Sequence, residues 1–138
     1  EVVCADALAF KSEPFDAILL DAPCTATGTL RRHPDVAWLR RPTDVAALSE
    51  LQSRMIDAAG ALLRPGAPLV YAVCSLEPEE GAGAVAAALQ RGWRRSAAPR
   101  FEGSEGLINS DGDLRSHPAQ WPELGGLDGF YAAVVVRG

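Results

Sequence analysis

No apolar run in the sequence approaches the roughly 20 residues that a helix needs to cross a bilayer; the longest, such as Ala17–Leu20 and Pro68–Cys74, are only strand-length. Basic charge is not in excess either. Thirteen Lys plus Arg face eighteen Asp plus Glu, for a formal net charge of −5, so the surface as a whole does not suit a generic polyanion binder and any nucleic-acid contact must be local. Cysteine is scarce: Cys4, Cys24 and Cys74 cannot all pair with one another, and no two stand at the short spacing of a zinc site. This argues against a disulfide-stapled secreted scaffold, and a reduced, cytoplasmic, soluble protein is expected. The opening Glu-Val-Val-Cys-Ala-Asp has neither an initiator methionine nor a charged-then-apolar signal pattern, so Glu1 is not expected to be where the gene product starts. Asp111, Asp113 and Glu123 lack calcium-ligand spacing.

What is present is 138 residues of ordinary globular composition, 48% hydrophobic and 22% charged, enough for one domain with a real core. Phe15–Asp21 is a short apolar run without strict alternation, as suits a strand buried on both faces. A polar, Arg-rich loop from Thr25 to Pro42 follows, too long for a simple connection. Thr43 can cap a helix whose apolar positions Leu48, Leu51, Met55, Ala58 and Leu62 recur at three-and-four spacing, and Pro65-Gly66 ends it. Pro68–Cys74 reads as a second strand. A second helix is expected over Pro78–Gln90, with Glu79 and Glu80 at the positive end of its dipole and Ala82, Val85, Ala86 and Leu89 as its buried stripe. Gly92–Phe101 holds at most a weak strand, Gly103–Gly126 reads as a long loop, and Phe130–Val136 is a last apolar strand. Strand, helix, strand, helix in this order predicts an α/β sheet built on a right-handed parallel crossover and covered on both faces.

In such sheets ligands bind beyond the carboxyl ends of the strands. Cys24 lies just past the first strand in Asp21-Ala-Pro-Cys24, and Cys74 closes the second in Tyr71-Ala-Val-Cys74-Ser75. If the strands are neighbours, both thiols face one cleft. Taken singly, each cysteine also fits a small buried hydrophobe. Against that stand the rim carboxylate of Asp21, the backbone fixed by Pro23, and the helix start four residues after Cys74, where a thiol can be acidified. Arg31, Arg32, Arg40 and Arg41 fall within eleven positions, with His33 and Trp38 between them. A local positive stretch with an aromatic suits phosphate contact and base stacking, and equally a solvated loop whose arginines pair with Asp35 and Asp44. Trp93 and Trp121 are expected to pack, and Cys4 to lie in the core.

Asp21-Ala-Pro-Cys24, Gly28, Arg31-Arg32-His33-Pro34-Asp35, Trp38, Gln52, Tyr71-Ala-Val-Cys74-Ser75, Pro78-Glu79-Glu80 and Asp128-Gly129-Phe130-Tyr131 occur in this order over nearly the whole chain. Together they resemble the RNA (cytosine-5) methyltransferases of the Sun/RsmB family. The resemblance implies a Rossmann-like fold, S-adenosylmethionine as methyl donor, and ribosomal RNA as substrate with transfer RNA second. It assigns Cys74 as nucleophile toward cytosine carbon-6 and Cys24 to breakdown of the covalent adduct, with Asp21 bonding the cytosine edge. Asp6, Asp21 and Pro23 fall at positions bordering the methyl donor, and Arg31, Arg32, His33, Arg40 and Arg41 on the RNA side. The chemistry is consistent with these residue types: a thiolate added to carbon-6 turns the ring into an enamine nucleophilic at carbon-5, and the base must leave its stack to be reached.

The sequence departs from the family at the donor site. No Gly-x-Gly turn precedes Asp6, and the sole lysine, Lys11, follows it. Ala26 stands where glycine is common, Ala72-Val73 where Ser-Thr is usual, and Gly81 where Asn often follows the paired glutamates. Residues 1–138 are thus expected to be the C-terminal portion of a methyltransferase catalytic domain, inactive by themselves, with a bare sheet edge through which they self-associate. Competing readings are a non-catalytic RNA-binding relative, against which two rim thiols argue, and a donor-dependent methyltransferase of DNA or protein.

Overall fold

The computed structural model describes all residues, Glu1–Gly138. Strands β1 (Ile18–Asp21) and β2 (Pro68–Val73) run parallel in the register Ile18 opposite Leu69 to Asp21 opposite Ala72. Between them come a one-turn helix α1 (Val36–Leu39) and the long helix α2 (Pro42–Ala61). After β2 a π-helical turn (Glu79–Gly83) leads into α3 (Ala84–Gln90), then β3 (Trp93–Ser96), the two-residue β4 (Leu114–Arg115) and β5 (Tyr131–Arg137). The sheet order is β1-β2-β5-β3, with β4 also on β5. The parallel β1–β2 pair behaves as expected of a crossover unit, but the sheet is mixed, because β5 is antiparallel to both β2 and β3. The weak strand expected after Gly92 is β3, and the long loop contains β4.

One face of the sheet carries the core. Leu69, Tyr71 and Val73 of β2 stand opposite Val135, Ala133 and Tyr131 of β5, and all six are buried together with Ile56 of α2, Val85 and Ala88 of α3, and Trp93. Full burial of side chains such as Ile56 and Leu69 contributes about 1.5–3 kcal/mol each. Gly60 lets α2 approach β3, since a Cβ there would lie 2.5 Å from the Trp93 ring. The opposite face is not covered: Leu19 is 70% exposed, and Val70, Ala72, Val134 and Val136 are only half-buried. The expectation of two covered faces therefore fails here, because α2 and α3 pack against each other on the same side.

Both helices differ in phase from the expected stripes. Helix α2 begins with Pro42 at its first position, where a fixed φ and a missing N–H cost nothing, and the Asp44 carboxylate accepts the Arg41 N–H at 2.9 Å; Thr43 is inside the helix. Its fully buried positions are Gln52, Ile56, Ala59 and Gly60. Leu48, Leu51, Met55, Ala58 and Leu62 are half-buried on the flank, where Met55 and Leu62 line an apolar groove of about 300 Å³ beside β1. In the second helical segment Glu80, Gly81, Ala84, Val85 and Ala88 are buried, while Ala82 and Ala86 are exposed. The π-helical turn over Glu79–Gly83 accompanies this shift of phase and carries the Glu80 side chain inward. Cys4 is exposed, not in the core, because residues before Phe15 contribute only the wall of the groove. Trp93 is 3% exposed as expected of a packing residue, whereas Trp121 is half-open in a left-handed conformation.

Candidate active site

Parallel pairing brings the carboxyl ends of β1 and β2 to one rim, and antiparallel pairing delivers the amino end of β5 to the same rim. Three loops meet there through their backbones. The Ala22 N–H extends the ladder to the Ala72 carbonyl at 2.9 Å, Gly28 N–H donates to the Cys74 carbonyl at 3.1 Å, and Gly129 N–H donates to the Gly28 carbonyl at 2.8 Å. This approach requires the absence of side chains: a Cβ on Gly28 would lie 1.9 Å from the Gly129 oxygen. Ala26 makes the tight turn after Cys24 at a left-handed φ of 60°, a conformation that glycine adopts freely. That is a physical basis for the glycine usual at this position in the family that the sequence resembles.

The junction brings Cys24 and Cys74 together, with their sulfurs 3.5 Å apart. Cys24 is buried and Cys74 half-buried. Burial pushes the Cys24 thiol up from 9.0 to about 12, with the neighbouring Cys74 adding to the shift and an N–H bond from Ala26 opposing it. Cys24 thus holds its proton at neutral pH and can offer it to the Cys74 sulfur.

Beneath the thiols lies a polar cluster that helix patterning does not predict. The pattern sets Glu80 at the solvated, positive end of a helix; it is instead fully buried, and its carboxylate accepts hydrogen bonds from the Thr25 N–H and hydroxyl, the Ser75 hydroxyl and the Gln52 amide. Gln52 also reaches the Pro23 carbonyl at 2.9 Å. Arg115, which belongs to no motif in the sequence, donates to the carbonyls of Ser75 at 2.9 Å and Leu76 at 2.8 Å. The one available signal is the coincidence of polar residues Thr25, Gln52, Ser75 and Glu80 within otherwise apolar surroundings.

Asp21 ends β1 with an exposed carboxylate, and Pro23 is exposed beside it. Asp6 is exposed in the segment along β1, where its carboxylate accepts the Leu8 N–H at 2.9 Å. The arginines are engaged with the loops themselves: Arg31 with the Gly125 carbonyl, Arg32 with Asp128, and Arg40 with the carbonyls of Thr25 at 3.1 Å and Cys24 at 3.4 Å. Arg32 accordingly has its guanidinium pushed further toward the charged form by Asp128. The anticipated pairing with Asp35 and Asp44 is replaced by these partners. Arg41, His33 and Trp38 are exposed, Trp38 at 89%. A cleft of about 540 Å³ opens next to the Cys24 loop, lined by Thr25, Thr27, Arg40, Arg41, Glu77 and Glu79 among others. Asp113, one of the acidic residues of the late loop, is committed to Arg95 and the Tyr131 hydroxyl.

Comparison with known proteins gives a consistent picture. The chain is 45% identical over 143 residues to ribosomal RNA small subunit methyltransferase B of Vibrio vulnificus (strain YJ016), covering 99% of this chain and 30% of the relative. It is 44% identical to the protein of the same name from Vibrio cholerae, again over 99% of this chain and 30% of the relative. It therefore spans about a third of the length of the curated relatives it matches. Among solved structures it superposes on NSun6 from Pyrococcus horikoshii with SFG at a TM-score of 0.81 and 32% identity, covering 99% of this chain and 34% of that one. A methyltransferase homolog protein from the same organism gives 0.67 and 28%, over 91% of this chain and 40% of that one. The fold is thus the Rossmann-like α/β fold of these methyltransferases. The profile described as 16S rRNA methyltransferase RsmB/F matches residues 1–136, and the chain belongs to that family.

Proposed function

We propose that the protein carrying this chain is an RNA cytosine carbon-5 methyltransferase that uses S-adenosylmethionine and acts on small-subunit ribosomal RNA through a covalent adduct at Cys74. Residues 1–138 supply the C-terminal portion of its catalytic domain. The observation that carries the reading is the 3.5 Å separation of the Cys24 and Cys74 sulfurs at the rim of the sheet. A binding module has no use for two thiols in contact, whereas this chemistry can employ both, one to add to the base and one to help it leave.

In this mechanism the Cys74 thiolate forms a bond to carbon-6 of an unstacked cytosine, leaving an enamine nucleophilic at carbon-5. Asp21, whose carboxylate is open at the end of β1, bonds the cytosine edge. After carbon-5 is alkylated, Cys24 passes its proton to the departing Cys74 sulfur and takes up the carbon-5 proton in exchange, so that the Cys74–carbon-6 bond breaks, the 5,6-double bond is restored and both thiols end protonated. The high proton affinity of Cys24 supports this division of labour, because a thiol that keeps its proton serves acid–base work better than attack.

The residues present suit the methyl donor. Asp21 is an exposed acceptor at the rim and Asp6 uses one carboxylate oxygen in its own turn, leaving the other open to an amino group. With Pro23 they would hold S-adenosylmethionine, which supplies an electrophilic methyl group when bound. The complex of the Pyrococcus horikoshii neighbour with SFG, an analogue of that donor, supports S-adenosylmethionine as the methyl donor.

The test uses the full-length protein and RNA containing 5-fluorocytidine, whose fluorine blocks loss from carbon-5. With S-adenosylmethionine a protein–RNA adduct stable to denaturation is expected, absent in Cys74→Ala. An adduct that persists in Cys74→Ala but vanishes in Cys24→Ala would reverse the roles.

A further inference from the structure

We propose that Glu80 is the positioning residue that sets the spacing of the two thiols, by clamping with one carboxylate the residue that follows each cysteine. Thr25 follows Cys24 and Ser75 follows Cys74. Oε1 of Glu80 accepts the Thr25 N–H at 2.9 Å and the Gln52 amide at 3.1 Å; Oε2 accepts the Thr25 hydroxyl at 2.5 Å and the Ser75 hydroxyl at 2.6 Å. Fifty-five residues of sequence separate Glu80 from Thr25 and only five from Ser75, so the carboxylate ties the loop after β1 to its own loop after β2. Gln52 joins the clamp to helix α2 and to Pro23, the residue before Cys24.

The backbone that carries Glu80 is built to aim it. The N–H groups of Glu80 and Gly81 both donate to the Glu77 carbonyl at 3.2 Å, and Gly83 N–H reaches the Pro78 carbonyl at 2.8 Å, which opens a π-helical turn at this point. Such turns concentrate at functional sites. The Tyr71 hydroxyl fixes the Glu80 carbonyl at 2.6 Å from below. Glu80 has 0% exposure, and every partner of its carboxylate is a neutral donor. Burying an acceptor that needs four donors is a costly way to fill space, which an apolar side chain would fill better. What an apolar residue cannot do is hold two loops at a fixed distance through hydrogen bonds of defined direction.

The kinetic part of this proposal rests on the covalent methyl-transfer reading, whereas the spacing part does not. The test therefore reads thiol spacing directly, in the full-length protein, with phenylarsine oxide, which bridges two close thiols with loss of water. Wild type is expected to bind an equivalent that Cys24→Ala does not. Glu80→Ala should bind it at least tenfold more weakly while retaining the circular-dichroism spectrum, and Glu80→Gln, which keeps one acceptor oxygen, should be intermediate. The 5-fluorocytidine adduct rate should follow the same order with unchanged RNA affinity. Folded Glu80→Ala with wild-type affinity for the arsenical overturns the proposal. If Glu80→Ala does not fold, Thr25→Val and Ser75→Ala each cut one arm of the clamp, and wild-type affinity in both overturns it equally. If dithiol capture follows Glu80 but wild type forms no RNA adduct, the spacing role stands and the methyl-transfer reading falls.

Discussion

The sulfurs of Cys24 and Cys74 are in contact at 3.5 Å across fifty residues of sequence. Two thiols this close can be oxidised to a disulfide by a modest movement of either side chain. Treating the full-length protein with diamide should lower the count of titratable thiols by two and abolish methyl transfer, and dithiothreitol should restore both. Loss of activity that dithiothreitol does not reverse, or no loss at all, contradicts this.

The burial of Cys24 makes stability depend on alkaline pH. Cys24 holds its proton up to about pH 12 in the folded chain, against 9.0 for an ordinary thiol. Below about pH 9 both folded and unfolded states keep the proton, and the contribution to stability is fully present. As pH climbs from about 9 toward 12 the unfolded chain ionises first, so stability falls. The melting temperature of wild type should drop more steeply over this window than that of Cys24→Ala. Parallel curves would show that burial does not hold the Cys24 proton.

The backbone junction at the rim makes opposite predictions for two neighbouring positions. Gly28→Ala drives a methyl group into the Gly129 carbonyl, and should cost about 1–3 kcal/mol in urea unfolding. Ala26→Gly relieves a left-handed residue and should gain about 1 kcal/mol. Two substitutions of equal sign would mean that the loops do not meet as described.

Much of this architecture is legible in the amino-acid sequence. The β1 and β2 segments stand out because each is a compact apolar run, β1 stopped by Asp21 and Pro23 and β2 opened by Pro68 and closed by Cys74-Ser75, and their crossover places Cys24 and Cys74 on one rim. The direction of β5 is not legible, since Tyr131–Val136 is a continuous apolar run that reads alike whichever way it pairs. β4 is two residues long, a single strand period and too short to show a repeat. Glu80 escapes for a deeper reason: helix patterning treats a carboxylate as solvent-facing, and only the tertiary arrangement of Thr25, Gln52 and Ser75 favours an inward carboxylate over an outward one. The arginines show the converse. Their clustering reads in the sequence as a loop suited to phosphate contact, yet Arg31, Arg32 and Arg40 direct their donors at Gly125, Asp128 and the Cys24–Thr25 backbone.

The position of β5 between β2 and β3 sets the order in which the site can mature. During synthesis both cysteines leave the ribosome well before Gly129 and the strand it introduces. Strands β2 and β3 have no hydrogen bonds to each other, so the sheet closes only when its last-made member slots into the middle. Until then the Gly28 carbonyl lacks its Gly129 partner and the rim is open. A chain truncated before Gly129 and released should react freely with maleimide at both Cys24 and Cys74, and a released chain that extends through Arg137 should shield Cys24.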